Sequence, residues 1–448
     1  MAAATTELEK PDTPTIQQQQ QEPKFDEQKV RLEQTAILQR EYDRRVKLEQ
    51  EKKRRERKVD ESKIKILLMG ARHLGSHIVH ALKDHATFVV VDRQDPEYIF
   101  ANPLCKQDVP RRIVRGFQIS ELDLFHNLTK LLEREEFDFV INTMSVHDAG
   151  FSQTNPTYTS WVNTVYTQQM MNALIEAKSI NPNIKIMHMS SDKIYGNNGC
   201  PPGQNIIQEG DLDIEGYWPQ FMIDETEEPN PLGVKAISRY NQEIIVRQMC
   251  KTHGIDYMIL RLGNLWGRYT TQVNMLNNML VSALKTKIIH VYGDKWASRH
   301  LLNIEDLSEF VCDLLVKKYD KANWNEVYNV GGFYPTRHYV YGFAKFIQTM
   351  LSGQVHEKID PKGKFVLPFL SVKIQYDPPR FYEDSEEAGI RIWMNTGKDS
   401  KLDKLGYVGK RDIVWDQYFK ELLQWDAAYF AGYNLDEIQE KVRSKITY

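Results

Sequence analysis

The sequence predicts an α/β fold: a doubly wound parallel sheet with a smaller C-terminal α/β lobe and an N-terminal helical arm. Strand-length apolar runs alternate with helical stretches from Ile64 onward, the signature of successive β-α-β units. The first of these units carries a glycine turn between its strand and its helix. The residues before it have no apolar run that could join a core.

Residues 1–24 include the run Gln17 to Gln21 among several prolines, a composition that stays disordered. Residues 25–62 form a dense mix of charges, free of Gly and Pro as far as Lys58, and predict a charged helical arm. Leu38, Tyr42 and Val46 recur at i, i+4 along it and make a stripe suited to docking on another protein. The stripe is too short for an established coiled coil. The basic run from Lys52 to Lys58 follows alternating acids and reads as a solvated helix end, so nucleic acid is not the expected partner.

Residues 63–448 are read as one nucleotide-binding domain, its sheet core over about 63–265 and its C-terminal lobe mostly over 266–448. Ile64 to Met69 is a buried strand, Gly70 to Gly75 a turn, and Ile78, Val79 and Leu82 mark the following helix. The helix N-terminus beside the strand tip is where a pyrophosphate can sit. Asp92 ends the second strand 22 residues after Gly70, near the roughly 20-residue spacing at which a carboxylate meets the adenosine ribose. The turn GARHLG keeps a first and a last glycine, but Arg72 and His73 fill its middle. After a loop come a helix over Leu122 to Arg134, a strand ending at Asn142, a helix over Tyr158 to Ala177, and a strand ending at Ser190-Ser191. In such sheets ligands bind at the carboxyl ends of the strands.

Composition excludes several classes. The chain has 448 residues, 41% apolar content and a net charge of −3, enough for a large core and with no global field favouring nucleic acid or acidic lipid. Cys105, Cys200, Cys250 and Cys312 are scattered without metal-ligand spacing, which fits reduced thiols and no metal site. With no 18-residue apolar run and no signal core, the expected location is cytoplasmic, with a cytoskeletal or other large assembly as one setting.

Several ordered stretches resemble the extended short-chain dehydrogenase/reductases, the NAD-dependent epimerase/dehydratase-like family with a Rossmann-type core. SSDKIYG (Ser190 to Gly196), NPTYTSWVN (Asn155 to Asn163), LRLGNLWG (Leu260 to Gly267), VYGDKWASRHLLNIEDLSEFV (Val291 to Val311), EVYNVGG (Glu326 to Gly332) and SKLDKLGY (Ser400 to Tyr407) carry the resemblance, over residues 63 to 425. It implies a cofactor site at Gly70, Arg72, Gly75, Asp92, Arg93 and Asn142, with NAD favoured over NADP because Asp92 would repel a 2′-phosphate. It implies catalysis at Ser191 and Lys235, and a substrate cleft including Asp192, Lys193, Asn264 and Arg299. Tyr195 is expected to pack. A homodimer is implied on the same ground.

The resemblance breaks at the chemistry. The family pairs a Tyr with a Lys four residues later, whereas PNPLGVK puts Leu232 in the Tyr position and Lys235 three residues on. Met144 and Gln118 also depart from the family pattern. Three readings follow: a non-catalytic scaffold or assembly subunit using its arm; a working NAD(P)-dependent nucleotide-sugar enzyme using Ser191, Asp192, Lys193 and Lys235; and an NAD(P)-sensing regulatory subunit.

Overall fold

Strand β1 (Ile64–Met69) turns into helix α1 (Leu74–Ala81) and strand β2 (Ala86–Asp92), followed by α2 (Pro103–Asp108), β3 (Val114–Gln118), α3 (Leu124–Arg134) and β4 (Phe139–Asn142). Then come α4 (Ala149–Thr154), α5 (Pro156–Ser160), α6 (Tyr166–Ala177), β5 (Lys185–Ser191), α7 (Gly233–His253) and β6 (Asp256–Leu262). The rest comprises β7 (Asn264–Trp266), α8 (Met275–Thr286), β8 (Ile288–Tyr292), β9 (Ser298–Asn303), α9 (Ile304–Val316) and β10 (Glu326–Val330). It ends with β11 (Arg337–Tyr339), α10 (Val340–Leu351), β12 (Lys373–Asp377), α11 (Lys401–Lys404), α12 (Lys410–Ile413) and α13 (Trp415–Tyr429). The computed structural model describes residues 63–448 except 94, 119–123, 197–221, 270–274, 294–296, 318–323, 333–336, 353–369, 379–393, 414, 433 and 435–448. The polar segment 1–24 and the arm expected over 25–62 lie outside the described residues.

Seven parallel strands stand in the order β10-β6-β5-β4-β1-β2-β3. The chain starts in the middle, winds out to β3 and returns beside β1 as β4, so the switch point lies between β1 and β4. Successive β1 residues feed opposite cores. Ile66 and Leu68 pack with Ile78 and Val79 of α1 and Leu307 and Val311 of α9. Leu67 and Met69 pack with Leu128 of α3, Met170 and Leu174 of α6, and Val246 of α7. Burial on both faces is why Ile66 to Met69 reads as an unbroken apolar run.

Two local differences from the sequence reading have physical causes. Strand β3 has no apolar run because it is the edge strand, exposed from Arg115 to Gln118. The helix expected over Tyr158 to Ala177 starts earlier and is interrupted: α5 and α6 are joined by a wide π turn, Trp161–Val165. Inside that turn the buried Asn163 accepts from Val146 N–H at 2.7 Å and donates to Ser238 Oγ at 2.9 Å. The turn thereby ties the loop after β4 to α7.

At Gly263 the chain leaves the main sheet. A Cβ there would lie 2.6 Å from the His300 carbonyl oxygen, so only glycine permits the approach that lets β7 join β9 and β11 in a second sheet. A third core, including Leu276, Leu280, Phe343, Ile347, Leu422 and Leu423, holds α8, α10 and α13 together in the C-terminal lobe. Strand β10 returns from beyond residue 265 to complete the main sheet.

Helix α7 is fastened to the sheet by charge. Arg261 of β6 donates from Nη2 to Glu243 Oε1 at 2.5 Å and from Nε to Oε2 at 3.1 Å, and Ser190 Oγ donates to the same carboxylate at 3.1 Å. Burial works against the guanidinium's charge, but the carboxylate outweighs it and holds the Arg261 pKa up. Arg239 donates to the Met189 carbonyl and to Gln242 Oε1, and Gln242 donates to Thr167 Oγ1 at 2.9 Å. Removing one member of a buried pair strands the other's charge. Glu243→Ala is therefore expected to cost about 3–5 kcal/mol in urea unfolding, and a loss below about 1 kcal/mol, the range of an exposed pair, would show that the pair anchors nothing.

Candidate functional site

The crevice between β1 and β4 is built from its glycines. A Cβ at Gly75 would stand 2.2 Å from the Gly70 carbonyl oxygen, and a Cβ at Gly70 (φ +101°) would stand 2.6 Å from Thr143 Oγ1. Gly70 and Gly75 thus do what the first and last glycines of a dinucleotide turn do: one makes the turn, the other lets helix and strand close up. Asp92 is half-buried at the end of β2, and its Oδ2 accepts from Ala71 N–H at 2.7 Å. The carboxylate is thereby fixed at the turn. Arg72 lies over the Tyr98 ring at 4.8 Å and Arg93 over the Tyr158 ring at 4.9 Å, so both cations have aromatic seats beside the crevice. Gln118 donates to the Arg93 carbonyl at 3.2 Å. Asn142 is fully buried; its Oδ1 accepts from Met144 N–H at 3.1 Å and its amide lies 3.2 Å from His188 Nδ1.

The middle of the turn is where this chain differs. His73 takes φ 39° and caps α1 without a side-chain hydrogen bond. Its ring meets His147, from the loop after β4, at 5.3 Å and 73°. Burial lowers the His73 pKa to about 3, with His147, Arg72 and His77 adding to the effect. His147 is exposed, and its pKa is lowered by desolvation, then by Lys235 and Arg239, against the pull of Asp148.

Ser191 caps the short turn Asp192–Tyr195, its Oγ accepting from Lys193 N–H at 3.2 Å. The next two residues are buried against each other, Lys193 Nζ lying 3.1 Å from Asp192 Oδ2 with the side chains 5% and 1% exposed. Tyr195 does more than pack: its OH lies 2.7 Å from Asn329 Oδ1, accepts from Arg261 at 2.6 Å, and burial pushes its pKa up to about 12. Leu232 is the N-cap of α7 and supplies no side-chain cap, while Lys235 lies in the first turn, close enough to His147 to depress its proton affinity. Asn264 is half-buried at the start of β7, and Arg299 of β9 is 9% exposed. The structure thus brings together the ends of β1, β2, β4 and β5 and the start of α7, with Asn264 and Arg299 on the second sheet. Sequence reasoning singled out neither His147 nor the conformation of His73; the non-glycine residue in the middle of GARHLG was the signal for the second.

The sequence profile of the NAD dependent epimerase/dehydratase family matches residues 66–331, and the chain belongs to that family. The dTDP-glucose 4,6-dehydratase of Salmonella typhimurium is 23% identical over 277 residues, 60% of this chain and 72% of that enzyme. The dTDP-glucose 4,6-dehydratase of Neisseria meningitidis serogroup B is 25% identical over 167 residues, 37% of this chain and 39% of the enzyme. Among solved structures, DesIV, a dTDP-glucose 4,6-dehydratase of Streptomyces venezuelae with NAD bound, superimposes with a TM-score of 0.60 at 16% identity, covering 83% of this chain and 99% of DesIV. The UDP-glucose 4-epimerase of Thermus thermophilus in complex with NAD gives 0.59 at 18% identity, covering 83% of this chain and all of the epimerase. These likenesses establish the Rossmann-type fold. Among the described residues, no helix is long and apolar enough to cross a membrane.

The buried imidazoles make acid lability a consequence of the fold. Burial lowers His77 to about 4 and His188 to about 3 from an unfolded value of 6.5. Between those values the unfolded chain binds protons that the fold refuses, so stability falls as pH drops below about 6.5, by up to about 1.4 kcal/mol per pH unit for each ring. Urea unfolding at stepped pH is expected to show this decline and to show it flattened in His188→Gln; an unchanged slope in the variant would contradict the assignment.

Proposed function

We propose that this chain is a chemically silent member of its family that holds a nicotinamide dinucleotide, NAD rather than NADP, and serves as a subunit of a protein assembly. The residues present suit the cofactor: the Gly70–Gly75 turn leaves backbone for a diphosphate, and Asp92 stands where a carboxylate receives ribose hydroxyls. Bound there, a nicotinamide supplies hydride exchange.

The observation that carries the reading is Leu232 at the N-cap of α7. The family reaction needs a phenol at this point whose proton affinity a nearby Lys lowers, and Leu has no ionisable group. Neither Tyr195 nor Tyr240 takes over. Tyr195 is buried, bonded to Arg261 and Asn329, and shifted to about 12, the wrong direction for an acid/base group. Tyr240 packs against the small core of Ile194, Tyr195, Ile223 and Met394. Loss of a general acid/base removes roughly 10² to 10⁴ in rate. The reading with Asp192 and Lys193 as replacements is disfavoured because each neutralises the other out of solvent.

The assembly role is supported by the sequence of residues 25–62, whose Leu38, Tyr42 and Val46 stripe no sugar chemistry requires. Product analysis with dTDP-glucose and UDP-glucose, in the presence of NAD, is expected to show no turnover, and a kcat in the ordinary range of about 1 to 10³ s⁻¹ would overturn the reading. Deleting residues 1–60 is expected to leave the thermal midpoint nearly unchanged while abolishing incorporation into the native assembly; normal incorporation would remove the assembly role alone.

A further inference from the structure

His73 occupies a backbone conformation, φ 39°, that a glycine takes freely and an L side chain takes rarely. What the substitution supplies is a side chain in the crevice, and that side chain meets a second imidazole, His147, arriving from the loop after β4. The two rings therefore come from the loops that follow β1 and β4, the strands that bound the switch point. The charges around them are mainly of one sign. Arg72 and His77 bear on His73 from its own turn and from α1, while Lys235 and Arg239 of α7 and Asp148 beside it bear on His147. Burial and these cations favour the unprotonated form of both rings, and a bound anion beside them would favour the protonated form.

We infer that His73 and His147 form a proton-coupled reader of the dinucleotide's diphosphate, neutral in the free protein and gaining a proton when the diphosphate binds. The inference rests on the cofactor-holding reading above. The proton comes from solvent and ends on a ring nitrogen, turning an acceptor into an N–H donor toward a diphosphate oxygen; no covalent bond changes. Backbone N–H groups, which do this work in a three-glycine turn, do not titrate. Here the free rings start with depressed pKa values, about 3 for His73, and an adjacent anion raises them. Over the interval between the free and bound values the complex carries a proton that the free protein lacks, so affinity strengthens as pH falls, by up to about tenfold per pH unit for each proton taken up.

The test is calorimetric titration of the full-length protein with NAD and with ADP-ribose, from about pH 5.5 to about pH 8, the range in which histidine titrates, in two buffers of different ionisation heat. The expected result is proton uptake on binding either ligand, approaching about one proton per ligand at the acid end, with affinity weakening toward high pH. His73→Gly, which gives the turn a residue at home in its backbone conformation, and His147→Asn are each expected to bind NAD with reduced uptake and a shallower pH slope, and the double variant with neither. Binding by the unaltered protein without proton uptake, or uptake persisting in the double variant, would overturn the proton coupling and leave the cofactor-holding reading intact. Absence of NAD binding at millimolar concentration would overturn both.

Discussion

The buried ion pair between Arg261 and Glu243 is the contact on which the geometry of the cleft depends. It joins the last strand before the C-terminal lobe to the long helix α7, and Ser190, at the end of β5, donates to the same carboxylate. Arg239 and Gln242 extend the attachment to Met189, Thr167 and Met144, and Ser238 extends it to Asn163. Charges are costly to bury, and the cost is offset when each lone pair and proton finds a partner. The result is that the α7 N-terminus is held in place at the crevice. The residue that stands there is Leu232, the N-cap of the helix.

Tyr195 has the hydroxyl the chemistry would need but is used to bridge Arg261 and Asn329 in the interior. Asp192 and Lys193 close on each other. By contrast, the features that serve a dinucleotide are kept: the Gly70–Gly75 contact, Asp92 against Ala71, and the open order of strands at the switch point. On the proposed reading, a dinucleotide that is held but not consumed would fix one conformation.

Much of this was legible in the sequence because it rests on local patterns. The apolar runs Ile66 to Met69 of β1 and Phe139 to Ile141 of β4 announce strands buried on both faces, and the glycines of the turn after β1 announce the switch-point loop. What was not legible depends on contacts distant in the chain. Strand β3 is an exposed edge and has no pattern to read. Asn163 makes sense only once Val146 and Ser238 are beside it. The pairing of Glu243 with Arg261 spans two elements, and nothing in NQEIIV or LRLG signals it. His73 could be seen to displace a glycine, but its partner His147 lies in a loop with no motif of its own, and only the fold brings them to 5.3 Å.

The central claim is that the cleft can hold a nicotinamide and cannot use it on a sugar. Rapid mixing of the NAD-loaded protein, in excess, with dTDP-glucose, followed through the absorbance of the nicotinamide, isolates the chemical step from product release. The account predicts that the nicotinamide stays oxidised throughout; a transient reduced nicotinamide, even without net product, would contradict it.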